Sequence, residues 1–243
     1  MKICAVIPAA GNGTRLGSEH PKVFTEVYNG KVVWDILYQN IRPYVDGFNL
    51  VLKPRVAEKY SSHISDDVFI SEQDKALGMG DAIFRGKDFW SHYDYILVVW
   101  GDQVNLSSLT LKDVTSSTNG DVVIPLVTPE DPYVEYVFNE SKLIKVLQSR
   151  EGDETSTNGF SDIGVFLLPT KNLVKFWEEF CLKSEKGNTT GELNFLPFFV
   201  YLNNFCNLPI KKILVKDVDE AKGLNTKEDL LFFQNKMNTK FLE

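Results

Sequence analysis

The chain has 243 residues, with 26 Lys and Arg against 33 Asp and Glu, and a net charge of −7. This mildly acidic balance excludes the broad basic surface that non-specific nucleic-acid or anionic-membrane binding requires, and no apolar run approaches the roughly 18 residues of a membrane span. The length suffices for one substantial α/β unit with a sizeable core, and residues 1–243 are read as a single domain.

In chain order, Met1-Lys2-Ile3-Cys4 passes straight into a strand, Ile3–Pro8, with no apolar leader, so a cytoplasmic location is expected. Further strands are expected at Phe48–Lys53, Val68–Ser71, Tyr95–Trp100, Asp121–Leu126 and Ile163–Leu168. Between them, helices are expected at Val33–Ile41, Arg55–His63, Gly80–Trp90 and Leu106–Ser116; Val33, Leu37 and Ile41 share one helical face. Such alternation predicts an α/β fold with a mixed, mainly parallel sheet covered by helices on both faces, and ligands at the carboxyl ends of the strands. Beyond residue 130, Tyr133–Phe138 and Leu143–Gln148 read as a hairpin, and the polar stretch Glu151–Gly159 as an exposed, mobile loop. Helices near Asn172–Leu182 and Glu192–Asn203, a strand Ile210–Val215 and a closing helix Lys227–Met237 complete the chain. Cys4, Cys181 and Cys206 form no CxxC pair and are expected as buried thiols in a reducing compartment.

The most informative segment follows the first strand: Gly11-Asn12-Gly13-Thr14-Arg15, five residues, then Pro21-Lys22. Successive N–H groups in a glycine loop form an anion-binding concavity, and Arg15 and Lys22 can neutralise further phosphate charge. A Walker loop is excluded because Thr14-Arg15 follows Gly13 where Lys-Ser/Thr is needed, and the third glycine of a dinucleotide fingerprint is displaced by Leu16. These residues point to a nucleoside triphosphate.

With Pro8-Ala9-Ala10 in front of it, this pattern resembles the signature of nucleoside-diphosphate-sugar pyrophosphorylases, the nucleotidylyltransferases that join a sugar 1-phosphate to a nucleotide. The resemblance implies a Rossmann-like fold and spans roughly residues 3–230. Gln73 with Leu77-Gly78-Met79-Gly80 resembles the base-reading segment of the N-acetylglucosamine-1-phosphate uridylyltransferase branch, and an amide offers both donor and acceptor to a base edge. Gly101-Asp102, closing the Tyr95–Trp100 strand, stands where the family places its magnesium-binding aspartate. Asn225, in Gly223-Leu224-Asn225-Thr226, matches the second metal ligand, with an N-cap as its alternative role. Asp217, Asp219 and Glu220 are reserve ligands or solvated charges.

The resemblance implies a nucleotide seat at Pro8, Ala9, Ala10, Gly11, Gly13, Thr14, Gln73, Gly78 and Gly101, and catalytic roles for Arg15, Lys22 and Asp102. Tyr136, Gln148, Asp162, Gly164 and Glu192 fall on the acceptor side, where the chain departs from the branch. Val134-Glu135-Tyr136-Val137 replaces a Gly-Tyr-Gly-Arg run, Gln148 a glutamate, Asp162 an asparagine and Met79 a threonine. The resemblance implies a Mg2+-dependent reaction of a nucleoside triphosphate, UTP favoured, with a sugar 1-phosphate as the small phosphorylated acceptor, giving a nucleoside-diphosphate sugar and pyrophosphate. A cytidylyltransferase acting on a non-sugar phosphate or phosphonate is the alternative. Nucleic-acid and membrane partners are not expected, and self-association is left open.

Overall fold

The computed structural model describes residues 1–11, 16–17, 20–75 and 77–240. The first strand, β1 (Ile3–Pro8), is buried along its whole length. A short 3-10 helix, Lys22–Phe24, leads into an antiparallel ribbon, β2 (Glu26–Tyr28) and β3 (Lys31–Val32), too short to carry a period in the sequence. Then come α1 (Val33–Ile41), β4 (Gly47–Leu52), α2 (Val56–Lys59), β5 (Val68–Glu72), α3 (Met79–Arg85), α4 (Lys87–Trp90), β6 (Tyr95–Val99) and α5 (Ser108–Thr115). The second half holds β7 (Val122–Val127), the hairpin β8 (Val134–Asn139) and β9 (Lys142–Gln148), β10 (Ser161–Asp162), β11 (Val165–Pro169), α6 (Leu173–Lys183), α7 (Pro197–Asn204), β12 (Ile210–Leu214) and α8 (Lys227–Lys240).

Parallel pairs β6–β1, β1–β4 and β4–β5 form the centre of the main sheet. Strand β11 runs antiparallel to both β6 and β7, β10 also pairs β7 antiparallel, and β12 pairs β7 in parallel. The sheet is therefore mixed and mainly parallel. Its pleat sorts β1 between two cores: Ile3, Ala5 and Ile7 join α1, α5 and Phe233 of α8 on one face. Cys4 and Val6 join α3, α6, α7 and the β8–β9 hairpin on the other. Each fully buried Leu, Ile, Val or Phe in such a core contributes roughly 1.5–3 kcal/mol. No helix among the described residues is long and apolar enough to cross a membrane.

Several expectations are corrected. The helix expected over Gly80–Trp90 is split at Gly86, where any Cβ would strike the buried Asn49 amide. The one expected over Arg55–His63 shortens to α2 and a 3-10 turn, Ser61–His63. Helix α7 begins only at Pro197, a residue suited to the first helical turn. The Glu151–Gly159 stretch is tethered: Ser156 N–H donates to Glu135, Thr155 Oγ1 to the Pro132 carbonyl and Asn158 N–H to that of Glu130. Cys4 is buried, but Cys181 is exposed and Cys206 half-buried.

Gly80 lies where α3 crosses α6, and a Cβ there would overlap the Trp177 ring, itself buried and stacked on Phe84. Alanine is the better helix former by about 1 kcal/mol. Gly80→Ala is nevertheless expected to destabilise by about 1–3 kcal/mol, since neither element can move aside without opening the second core. Urea denaturation checks this, and an unchanged or raised midpoint would contradict the packing argument.

Candidate active site

The carboxyl ends of β1, β4, β5 and β6 share one edge of the sheet, and the glycine loop, Gln73 and Asp102 follow directly from three of them. Ala9 N–H donates to Val51 O at 2.9 Å and Gln73 N–H to Leu52 O at 2.8 Å, extending the ladder beyond the strands. Ala10 is buried and Gly11 exposed. Gly13, Thr14 and Arg15 lie outside the described residues. Gly101 explains itself by contact: a Cβ would stand 3.0 Å from the Pro8 carbonyl oxygen and 3.1 Å from Ala9 Cβ. Only glycine lets the β6 turn press against the start of the loop.

Three residues from distant parts of the chain meet at this edge. Lys22 Nζ donates to Asp102 Oδ2 at 3.0 Å and to Asn225 Oδ1 at 2.8 Å. Lys22 is held by its turn, in which Phe24 and Thr25 N–H groups donate to the Pro21 and Lys22 carbonyls, and by Phe24, stacked 4.2 Å from Tyr60. Asn225 arrives beside Asp102 because Leu224, fully buried, donates its N–H to the Asp102 carbonyl at 2.8 Å. A Cβ at Gly223 would crowd both Asp102 and Asn225 at 3.1 Å, so that glycine keeps the space open.

Asn225 does not cap α8. Thr226 and Asp229 do so reciprocally: Asp229 Oδ2 accepts from the Asn225 and Thr226 N–H groups, and Thr226 Oγ1 from Asp229 N–H. The Asn225 amide oxygen is thereby left for Lys22. The acidic run before it is also corrected. Glu220 is buried and takes the Ser107 N–H and the Thr110 hydroxyl at the start of α5, while Asp217 and Asp219 pair with Lys236.

Gln73, 5 % exposed, donates through Nε2 to Gly78 O and to Asp81 Oδ2. Gly78 has φ +102°, and its missing Cβ would meet Leu193 O at 3.0 Å and Glu192 Cβ at 3.5 Å. Glu192 thus stands beside Gly78. Its loop is anchored by Glu151, which accepts from Thr189 N–H, the Thr190 hydroxyl and Asn194 Nδ2. The Thr189 N–H and then the Thr190 hydroxyl are the main causes that lower the Glu151 carboxyl to about 2.

Asp162 and Gly164 form the second group, joined to β6 by the Trp100 N–H to Gly164 O bond at 2.9 Å. Gly164, at φ +73°, leaves no room for a Cβ between Trp100 and Gln103. Asp162 Oδ1 accepts from Gly164 N–H at 2.7 Å, yet burial outweighs that bond and pushes the carboxyl up to about 6. Tyr136 is 1 % exposed, and its buried hydroxyl faces this carboxyl without reaching hydrogen-bond geometry; burial and then the Asp162 charge raise its own pKa. Gln148 is buried.

A folded-state carboxyl raised from 3.8 to about 6 keeps a proton that the unfolded chain gives up. Between those values stability falls as pH rises, and the penalty is complete above about 6. Glu151 acts in the other direction, its contribution present above 4.5 and lost as pH falls towards 2. Denaturation midpoints across pH 4–6 are expected to flatten in Asp162→Asn; an unchanged slope would remove Asp162 as their source.

The model of the MobA-like NTP transferase domain matches residues 5–161, more than half of the chain and including most of β1, the glycine loop and Asp102. The chain belongs to this family. It is similar to the "Bifunctional protein GlmU" of Aquifex aeolicus, 25% identical over 253 residues, covering 97% of this chain and 53% of that protein. The protein of the same name from Buchnera aphidicola is 28% identical over 239 residues, covering 94% and 50%. The chain spans about half the length of these curated relatives. Among solved structures, a putative glucose-1-phosphate thymidylyltransferase from Bacillus anthracis superposes with a TM-score of 0.74, 16% identity and coverage of 96% and 94%. That likeness shows a shared fold, a Rossmann-like mixed, mainly parallel sheet with helices on both faces. Membership identifies the chain as an enzyme of the nucleotidyltransferase type.

Proposed function

We propose that residues 1–243 act as one catalytic unit, a Mg2+-dependent nucleotidylyltransferase that joins UTP and a sugar 1-phosphate into a UDP-sugar and releases pyrophosphate in the cytoplasm. The observation that carries this reading is the meeting of Lys22, Asp102 and Asn225 within 3.0 Å beside the Gly101–Ala9 seam. Family membership and the names of the relatives support the reaction class.

The acceptor needs no base from the protein. A phosphomonoester has its second pKa near 6, so its oxygen is ionised at neutral pH and can attack the α-phosphorus as pyrophosphate leaves. What remains is to align two polyanions and offset their charge. The Pro8–Gly13 loop seats the triphosphate, Arg15 meets its outer phosphates, and Lys22 lies where nucleotide and acceptor phosphates must approach. Asp162, Gly164, Tyr136 and Gln148 are assigned to the acceptor side, and Glu192 to the border between the two substrates.

The residues fit a magnesium ion. Two hard oxygens, Asp102 Oδ2 and Asn225 Oδ1, converge on a point that a positive charge, the Lys22 ammonium, already approaches within 3.0 Å of each. Magnesium is commonly held by one or two protein oxygens with water and substrate phosphate completing its shell, so a two-oxygen site is enough. Asp102 and Asn225 would hold it, and when bound it supplies positive charge against that building on the α-phosphate. Four nucleoside triphosphates crossed with a library of sugar and polyol phosphates, read by pyrophosphate release and product mass, test the reading. No nucleotidyl transfer in any combination would overturn it.

A further inference from the structure

The Gln73 carboxamide is held in a single orientation. Its Nε2 lies 2.8 Å from Asp81 Oδ2 and 3.1 Å from the Gly78 carbonyl oxygen. Carboxylate and main-chain carbonyl can only accept, so the NH2 end must face them and both its hydrogens are used. The amide is planar, and Oε1 therefore points the other way, without a protein donor among the described residues. Asp81 is itself pinned, because Arg85 Nε donates to the same Oδ2 at 3.1 Å one turn along α3. Gln73 is buried, so neither hydrogen is exchanged for a bond to bulk water while Asp81 and the Gly78 carbonyl hold it.

A free glutamine offers a base both a donor and an acceptor. A locked one offers an acceptor alone. We propose that Asp81 is a positioning residue for base selection: it fixes Gln73 with its oxygen outward, so that the site takes a pyrimidine presenting an N–H there. Uracil and thymine carry that hydrogen on N3. Cytosine has a lone pair at N3, and two acceptors would face each other with neither satisfied. A site built around one such bond can reject the mismatched analogue by several orders of magnitude. The inference rests on the proposed function for its placement of the base at Gln73, and goes beyond it in naming what sets the preference.

Calorimetric titration of the full chain with UTP and CTP in magnesium buffer tests this without knowledge of the acceptor. The wild type is expected to bind UTP at least about 30-fold more tightly than CTP, and N3-methyl-UTP as weakly as CTP. In Asp81→Asn the new amide can present either end, Gln73 can turn with it, and the UTP/CTP ratio should fall about tenfold or more. A purely structural role would weaken both nucleotides together and leave their ratio intact; that result would overturn the proposal, as would a wild-type preference for CTP. Should Asp81→Asn fail to fold, the N3-methyl-UTP comparison decides on the wild type, and tolerance of the methyl group refutes the lock. Uracil-selective binding without transfer to any sugar phosphate would remove the enzymatic reading and leave this one standing.

Discussion

Lys22→Ala and Asp102→Asn are each expected to lower kcat/KM by about a hundredfold or more while leaving the protein folded. The two side chains are 23% and 20% exposed, so their ion pair is partly screened and its loss should cost at most about 1 kcal/mol of stability. Under the proposed function the effect on rate arises in the transition state, where Lys22 would face phosphate and Asp102 would share its charge with the metal. Because both act on the same developing charge, the double variant should lose much less than the product of the single losses. Steady-state kinetics beside thermal unfolding separate the two effects, and either variant turning over at the wild-type rate would sink the assignment.

Gly101→Val is expected to cause a comparable loss of activity by a different route. A methyl group alone would need a few tenths of an ångström from the Pro8 carbonyl and from Ala9, both fixed in the β1 ladder. A branched side chain needs more, and its insertion should cost about 1–3 kcal/mol of stability. It would also separate the loop start from Asp102, widening the gap across which the triphosphate must be held. Triphosphate affinity and kcat should therefore fall together, and normal nucleotide binding with normal turnover would show that the seam does not organise the site.

The parts of this arrangement visible in the sequence were those whose signal is local. Strand β1 and the glycine loop declare themselves within a few residues, and α1 matches its apolar spacing end to end. The β8–β9 hairpin follows from two alternating runs around a polar turn. The Lys22–Asp102–Asn225 cluster was anticipated through resemblance to a family, since no periodicity links residues 80 and 203 positions apart. What the sequence hid depends on partners that only the fold supplies. Glu220 is one of three acidic residues in Asp217–Glu220 until the start of α5 is seen to donate to it. Asp81 reads as an ordinary first-turn carboxylate until Gln73 is found beneath it. Glu151 looks solvated, yet gathers the loop in front of α7.

The contact between Lys22 and Asn225 closes a span of 203 residues. During synthesis β1 and the loop after it leave the ribosome well before the segment around Asn225, and the oxygen pair opposite Lys22 stays incomplete until that segment has also emerged. A nascent chain thus carries a nucleotide-binding motif long before it can act on what binds there, and chemistry begins only once the chain has folded back upon its own beginning.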